Sequence, residues 1–224
     1  MAPPLPSDPG LAAFGSSLTA ITLAELGDKT FFMALILAVR HSARLVFVGA
    51  FAALSAVTLL SLGVGYGLRE LLPQNLVPWL AAVLFLGFGI KLLVDAQSLG
   101  AGAAQEEAEE AEEAVNAAEQ GNGHGGAWAV IWESFALVFV AELGDRTQFA
   151  TIVLATAPAQ VFSFAGLLAG TLAGHALVTW LAVGAGKWIG GRVNEQVLYR
   201  LSGGLFVAFG LVSLLQGLAS ASGR

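Results

Sequence analysis

The chain contains no cysteine, so it has neither a disulfide framework nor a thiolate ligand for a metal ion. Charged residues are also scarce: they make up 12% of the 224 residues, whereas soluble domains carry about 25%. Hydrophobic residues account for 56% of the chain, and the mean hydropathy is +0.76. This composition excludes an ordinary soluble domain and predicts an all-α integral membrane protein.

The negative charge is concentrated in one short segment. Seven glutamates lie between positions 106 and 119, and without them the net charge changes from −6 to +1. The pI of about 5.0 therefore describes this segment and not the body of the protein, and we expect no nucleic-acid partner. The segment could be a solvated charged helix or disordered, and we favour a short helix with frayed, glycine-rich flanks such as residues 121–126.

Six apolar stretches are long enough to cross a bilayer, which takes about 20 helical residues. They are Phe14–Val39, Leu45–Leu68, Val77–Ala96, Trp128–Ala155, Val161–Trp188 and Val197–Leu218. The sequence therefore predicts three domains: a three-helix repeat at residues 1–96, an acidic connector at 97–127, and a second three-helix repeat at 128–224.

The two halves resemble each other in sequence. Glu25 and Glu142 lie 117 positions apart, and Gly49 and Gly166 keep the same offset. The segment 85–89 resembles 206–210 at an offset of 121. Because each half has an odd number of spans, the second half crosses the membrane in the opposite sense. This is the inverted-topology repeat of secondary transporters, whose substrate site lies near the bilayer midplane.

A charged motif occurs once in each half, in the middle of an apolar stretch. The first motif, residues 24–30, reads Ala-Glu-Leu-Gly-Asp-Lys-Thr, and the second, residues 141–147, reads Ala-Glu-Leu-Gly-Asp-Arg-Thr. A charged side chain at the bilayer centre costs roughly 2.5–3.5 kcal/mol on insertion scales. Two copies of a carboxylate pair with a cation at this depth predict an ion site within the membrane.

If each span is a continuous helix, the charged residues of each motif share a face, because positions i, i+3 and i+4 are neighbours. Glu25 is then grouped with Asp28 and Lys29, and Glu142 is grouped with Asp145 and Arg146. The motif glycines Gly27 and Gly144 allow either a close approach of another backbone or a loosened helix with exposed carbonyl oxygens.

Opposing the two halves places Glu25 against Glu142 and Asp28 against Asp145. Four carboxylates crowded into a low-dielectric site cannot all be ionised without a compensating cation, so they hold either protons or a metal ion. Mutually exclusive binding of protons and a metal ion is the chemistry of a cation/proton exchanger. Oxygen donors suit Ca²⁺, Mg²⁺ and Mn²⁺. Further oxygens come from Thr30, Thr147 and Gln148, and the charge is partly balanced by Lys29 and Arg146.

The duplicated Glu-x-Gly-Asp-(Lys/Arg)-Thr motif in a chain of two times three spans resembles a known family. This is the Ca²⁺/Mn²⁺ cation–proton exchanger family, first catalogued as uncharacterised protein family 0016, with GDT-type members in Golgi, chloroplast and bacteria. The resemblance implies export of Mn²⁺, or next Ca²⁺, from the cytosol against protons. It also implies that the metal ligands are Glu25, Asp28, Glu142 and Asp145. The metal is then a transported substrate, and no tightly bound cofactor is expected.

Basic residues predict the orientation in the membrane. On the side of the membrane that holds the loops between spans one and two and between spans five and six, the basic residues are Arg40, Arg44, Lys187, Arg192 and Arg200. The opposite side has only Arg69 and Arg224. The positive-inside rule places these loops in the cytoplasm. The acidic connector is then also cytoplasmic and both termini are outside, in what we expect to be a bacterial inner membrane.

Three other interpretations are compatible with parts of the sequence. The motif charges could form only structural salt bridges, Glu25 with Lys29 and Glu142 with Arg146. A passive divalent-cation channel would use the same carboxylates without proton coupling. An intramembrane enzyme is less favoured, because no histidine lies beside the motif and the acids are symmetric. His175 has no partner histidine, so we interpret it as a hydrogen-bonded packing residue.

Overall fold

The computed structural model describes residues 8–98, 103–121, 126–156, 163–185 and 195–222. Lys187, Arg192 and residues 122–125 of the glycine-rich run lie outside this part of the chain. The described residues form nine α-helices, which are α1 (Pro9–Glu25), α2 (Lys29–Arg40), α3 (Ala43–Leu71), α4 (Val77–Ser98), α5 (Ala103–Gly121), α6 (Ala127–Glu142), α7 (Arg146–Ala155), α8 (Phe164–Ala185) and α9 (Glu195–Ser222).

The protein is an all-helical membrane protein. Within the described residues, α3, α4, α8 and α9 are each long and apolar enough to cross a bilayer. The bent pair α6–α7 is a fifth candidate if it is counted as one span. Large apolar side chains such as Leu60, Val83 and Leu215 are exposed on these helices, as a lipid-facing surface requires.

The helix is interrupted within each motif, so the shared helix face expected for a continuous span is not formed. The first motif separates α1 from α2, and the second separates α6 from α7, whose axes differ by 72°. The cause is the glycine of each motif: Gly27 has a φ of 81° and Gly144 a φ of 89°. This left-handed conformation ends a helix and is accessible to glycine without steric cost.

Helices α4 and α9 pack against each other in antiparallel fashion. Gly217 packs on Trp79, Gly210 on Leu86 and Gly203 on Leu93, so contacts advance along α4 as they retreat along α9. Phe85 and Phe206 lie near the middle of this interface, with ring centroids 5.8 Å apart. The last helix of one half therefore runs opposite to the last helix of the other.

Other interfaces also join helices from the two halves of the sequence. Helix α1 packs on α8, and α3 packs on α6 and α7. Glycines allow the close approach: Gly166 meets the backbone of Gly10, and Gly174 meets Ile21. Small residues at helix crossings are the usual means by which membrane helices pack. The two halves are thus interleaved and do not form separate bundles.

The connector helix α5 packs against the body of the protein. Its residues Ala111 and Val115 are fully buried in a cluster with Met33, Leu37 and Val46. Arg40, the last residue of α2, binds α5 through Glu119 at 2.7 Å. The connector thus contains the helix that the sequence favours, and this helix is solvated only on its acidic face, which remains largely exposed.

Candidate cation site

The two broken motifs bring their aspartates to the starts of two helices. Asp28 caps the N-terminus of α2 and accepts a hydrogen bond from the backbone N–H of Lys29 at 3.0 Å. Asp145 caps α7 and accepts one from the backbone N–H of Thr147 at 3.0 Å. Helix N-termini carry partial positive charge, which stabilises carboxylates or another anionic group nearby.

Carboxylates from both halves converge. Ligand oxygens of Glu25, Asp28 and Asp145 all lie within 4.8 Å of one another, a spacing that a single metal ion could bridge. Glu25 and Glu142 are 1% and 2% exposed, respectively. Glu142, the fourth predicted ligand, is not part of the close group but lines the same cavity as Asp28 and Asp145.

The two motif cations do not pair within their own motifs. The guanidinium Nη2 of Arg146 contacts Oδ1 of Asp28 at 3.1 Å, so this ion pair crosses from the second half to the first. The Nζ of Lys29 contacts Glu110 on α5 at 2.8 Å. The described ion pairs therefore differ from the predicted structural bridges, because a helix break lies between each glutamate and the cation of its motif, so the two no longer share a helix face.

The supporting polar residues divide into two roles. The hydroxyl of Thr30 donates to Oε2 of Glu25 at 3.3 Å, and the hydroxyl of Thr147 donates to Oδ2 of Asp145 at 2.9 Å. The side-chain oxygen of Gln148 instead accepts from the backbone N–H of Gly144 at 2.7 Å. Gln148 thus stabilises the turn of the second motif, and the two threonines orient carboxylates.

A cavity of about 340 Å³ leads to these groups. Its walls include Asp28, Glu142, Asp145 and Arg146, together with Glu107 from the connector. Burial, with the nearby Asp28 charge as a smaller cause, raises the pKa of Glu107 to about 7. Glu107 therefore carries its charge fully only above neutral pH.

Glu107 is a cavity residue that the sequence analysis missed. The available signal was the apolar face of the acidic helix, where Ala111 and Val115 follow Glu107 at intervals of four residues. Positions four residues apart share a helix face. That spacing indicated that α5 packs against something and that Glu107 faces the same way.

A second, smaller cavity lies beside Glu25. It has a volume of about 10 Å³ and is lined by residues that include Glu25, Thr30, His175 and Thr179. His175 is 5% exposed, and its Nδ1 has no hydrogen-bond partner among the described residues. Oε1 of Glu25 is likewise without a partner there. The expected hydrogen bond is therefore missing at Nδ1 of His175, and this nitrogen lies beside the candidate site.

Comparison with known proteins identifies the family. The sequence matches the family described as divalent cation/proton antiporter GDT1 over residues 13–99 and 130–221. The chain belongs to this family. Both motifs lie within the matched residues, and the resemblance deduced from them is confirmed. Because the family consists of antiporters, the protein is a membrane transporter and not an enzyme.

Individual relatives agree with this assignment. A GDT1-like protein of Synechocystis sp. is 43% identical over 91% of this chain and 97% of its own length. The chloroplastic GDT1-like protein 1 of Oryza sativa subsp. japonica is 38% identical, and this chain covers 62% of it. The chloroplastic protein PAM71 of Arabidopsis thaliana is 42% identical, with 57% of it covered. No solved structure matches the chain.

The turn glycine of this GDT1-family protein gives a testable prediction. We expect Gly144→Ala to lower the free energy of unfolding by about 1–2 kcal/mol, because a left-handed residue with a side chain is strained by that amount. A Cβ at Gly144 meets no atom within 4 Å, so the cost is conformational and not steric. Thermal unfolding in detergent measures this loss of stability.

Gly87→Ala is the matched control for this prediction. Gly87 lies within α4, and a Cβ there also meets no atom within 4 Å. Because alanine favours helix over glycine, this variant should be as stable as the wild type or more so. Equal stability of the Gly87 and Gly144 variants would contradict the role assigned to the left-handed turn.

Proposed function

We propose that the protein exports a divalent cation from the cytoplasm in exchange for protons, with Mn²⁺ the first expected substrate and Ca²⁺ the next. The proposed ligands are Glu25, Asp28, Glu142 and Asp145. The observation that carries the proposal is the convergence of buried carboxylates from both motifs beneath an open cavity. The family of cation/proton antiporters supplies the reaction class.

The exchange follows from the burial of these acids. Glu25 and Glu142 are almost fully enclosed, and the close group contains one directly paired cation, Arg146. Several carboxylates at this density repel one another unless protons or a metal ion neutralise them. Metal binding therefore displaces protons, and protonation releases the metal. Competition between the metal ion and protons for one site is sufficient to couple their transport.

We further propose six spans arranged as two inverted three-helix repeats. In this arrangement α1–α2 and α6–α7 are broken spans, and residues 97–127 form the connector between repeats. The antiparallel packing of α4 and α9 supports the proposal. Its contacts are reciprocal: Phe85 meets Phe209 and Phe88 meets Phe206, at centroid distances of 5.9 and 6.5 Å. Pairs exchanged in this way are what a two-fold axis between the helices produces.

Alternating access fits this architecture. The 340 Å³ cavity gives one side of the membrane access to the site, while Glu25 faces the 10 Å³ cavity beside His175. We infer that rocking of the interleaved halves closes the first opening and enlarges the second. The open cavity carries the connector residue Glu107, so the positive-inside orientation makes it the cytoplasmic opening.

The donor set supports the choice of metal class. All proposed ligands are oxygens, which suit Mn²⁺, Ca²⁺ and Mg²⁺ better than Cu⁺. The preference for Mn²⁺ among these ions rests on the resemblance of the two motifs to the manganese and calcium exchangers. Competition of Mn²⁺, Ca²⁺ and Mg²⁺ for the purified protein would rank them directly.

The proposal is tested by proton release on metal binding. Mn²⁺ is titrated into nanodisc-embedded protein in weakly buffered solution, and a pH dye records the protons released. We expect more protons to be released per bound Mn²⁺ near pH 6 than near pH 8, because the site carries more protons to displace at the lower pH. Binding without proton release at either pH would favour the passive channel and contradict the exchanger.

A further inference from the structure

The motif cations Lys29 and Arg146 occupy equivalent positions in the two motifs but have different partners. Arg146 reaches across the site to Asp28 in the other half, at 3.1 Å. The equivalent contact would join Lys29 to Asp145. Instead, the ammonium group of Lys29 bonds to Oε2 of Glu110 on the connector helix, at 2.8 Å. The two halves of the site therefore differ in their ion pairs.

The connector helix holds Glu110 in position. Ala111, the next residue, and Val115 are fully buried against α2 and its neighbours. At the other end of α5, Arg40 bonds to Asn116 and Glu119, both at 2.7 Å. Glu110 is thus presented to Lys29 by a helix that is fixed by apolar contacts and by charge.

We propose that Glu110 is a positioning residue for transport: it draws Lys29 away from Asp145 and so leaves that carboxylate available to the cation. The inference rests on the proposed function of the carboxylate site. It gives the acidic helix α5 a role in transport in addition to its packing against α2.

The charge and exposure of Lys29 and Glu110 determine how strongly the loss of Glu110 should weaken metal binding. With Lys29 held by Glu110, Arg146 is the one motif cation paired at the site among the described contacts. If Lys29 turned toward Asp145, its ammonium group would compete with the metal ion for the same oxygens. The Lys29 and Glu110 side chains are 34% and 54% exposed, so their pair is weak and reversible. Loss of Glu110 should therefore weaken metal binding severalfold and not abolish it.

The test compares Glu110→Gln with Glu113→Gln in nanodiscs, with the apparent Kd for Mn²⁺ as the readout. Glu113 is an exposed acid on the same helix, so its variant makes the same change in net charge. We expect Glu110→Gln to raise the apparent Kd by about three- to fivefold, the scale of a partly exposed ion pair. Glu113→Gln should change it by less than about twofold, as expected for a surface charge. An equal change in the apparent Kd for Mn²⁺ in the two variants would overturn the proposal.

A double variant tests the cause. If a released Lys29 competes with the metal, Lys29→Gln in the Glu110→Gln background should restore the apparent Kd to within about twofold of the wild type. Failure to restore it would overturn the proposal. Wild-type protein that binds Mn²⁺ without releasing protons would contradict the exchanger itself, whereas proton-coupled binding unaffected by Glu110→Gln would contradict only the role of Glu110.

Discussion

Replacing either Glu25 or Glu142 by glutamine is expected to lower metal transport at least about 100-fold, since even outer-shell partners of metal ligands are worth 10–100-fold. Glutamine keeps the size of the side chain but removes the charge that we propose binds the cation and the group that we propose carries the proton. Both residues are buried, so neither is replaced by a neighbouring surface acid. Uptake of Mn²⁺ into proteoliposomes measures the loss.

Glu70→Gln is the matched control for these two substitutions. Glu70 is an exposed glutamate near the end of α3 and lines none of the cavities described above. Its variant makes the same chemical change and should transport at the wild-type rate. Wild-type flux in both the Glu25 and Glu142 variants would remove these residues from the mechanism.

A large loss of stability is expected from Gly49→Ala. A Cβ on Gly49 would collide with the carbonyl oxygen of Ile131 and lie 2.8 Å from Cβ of Ser134, where α3 crosses α6. A backbone carbonyl cannot move aside as the end of a flexible side chain can. Overpacking of this kind costs about 1–3 kcal/mol, and we expect the midpoint of thermal unfolding in detergent to fall by about 3–10 °C.

Gly63→Ala tests whether the collision is the cause. Gly63 lies on the same helix, and a Cβ there meets no atom within 4 Å. Its replacement should leave the melting temperature unchanged or raise it slightly, because alanine is the better helix former. If Gly49→Ala melted at the same temperature as Gly63→Ala, the close crossing of α3 and α6 would be wrong.

The helix breaks could have been predicted from the motifs themselves. A glycine followed by aspartate and then an apolar run is a stop signal followed by an N-cap. Both Gly27-Asp28 and Gly144-Asp145 have this pattern. The length of each apolar stretch favours a single span, and the glycines alone leave open whether the helix within that span is continuous or loosened. The apolar stretches and the motif carboxylates, in contrast, were evident because charge in an apolar segment is costly.

The contacts between distant segments could not be predicted. The ion pair of Arg146 with Asp28 depends on how two helix breaks face each other, and the pair of Lys29 with Glu110 depends on where α5 lies. Neither relation has a local sequence period. Such contacts follow from the packing of the whole chain, whereas helix faces follow from spacing along it.

The most direct test of the central claim is exchange in proteoliposomes that contain the purified protein. Mn²⁺ uptake is followed with and without an imposed pH gradient, while a trapped pH dye reports proton movement in the opposite direction. The account predicts uptake driven by an acidic interior, with matching proton efflux, and loss of both signals in Glu25→Gln. Mn²⁺ flux that is indifferent to the gradient and moves no protons would contradict exchange through a shared carboxylate site.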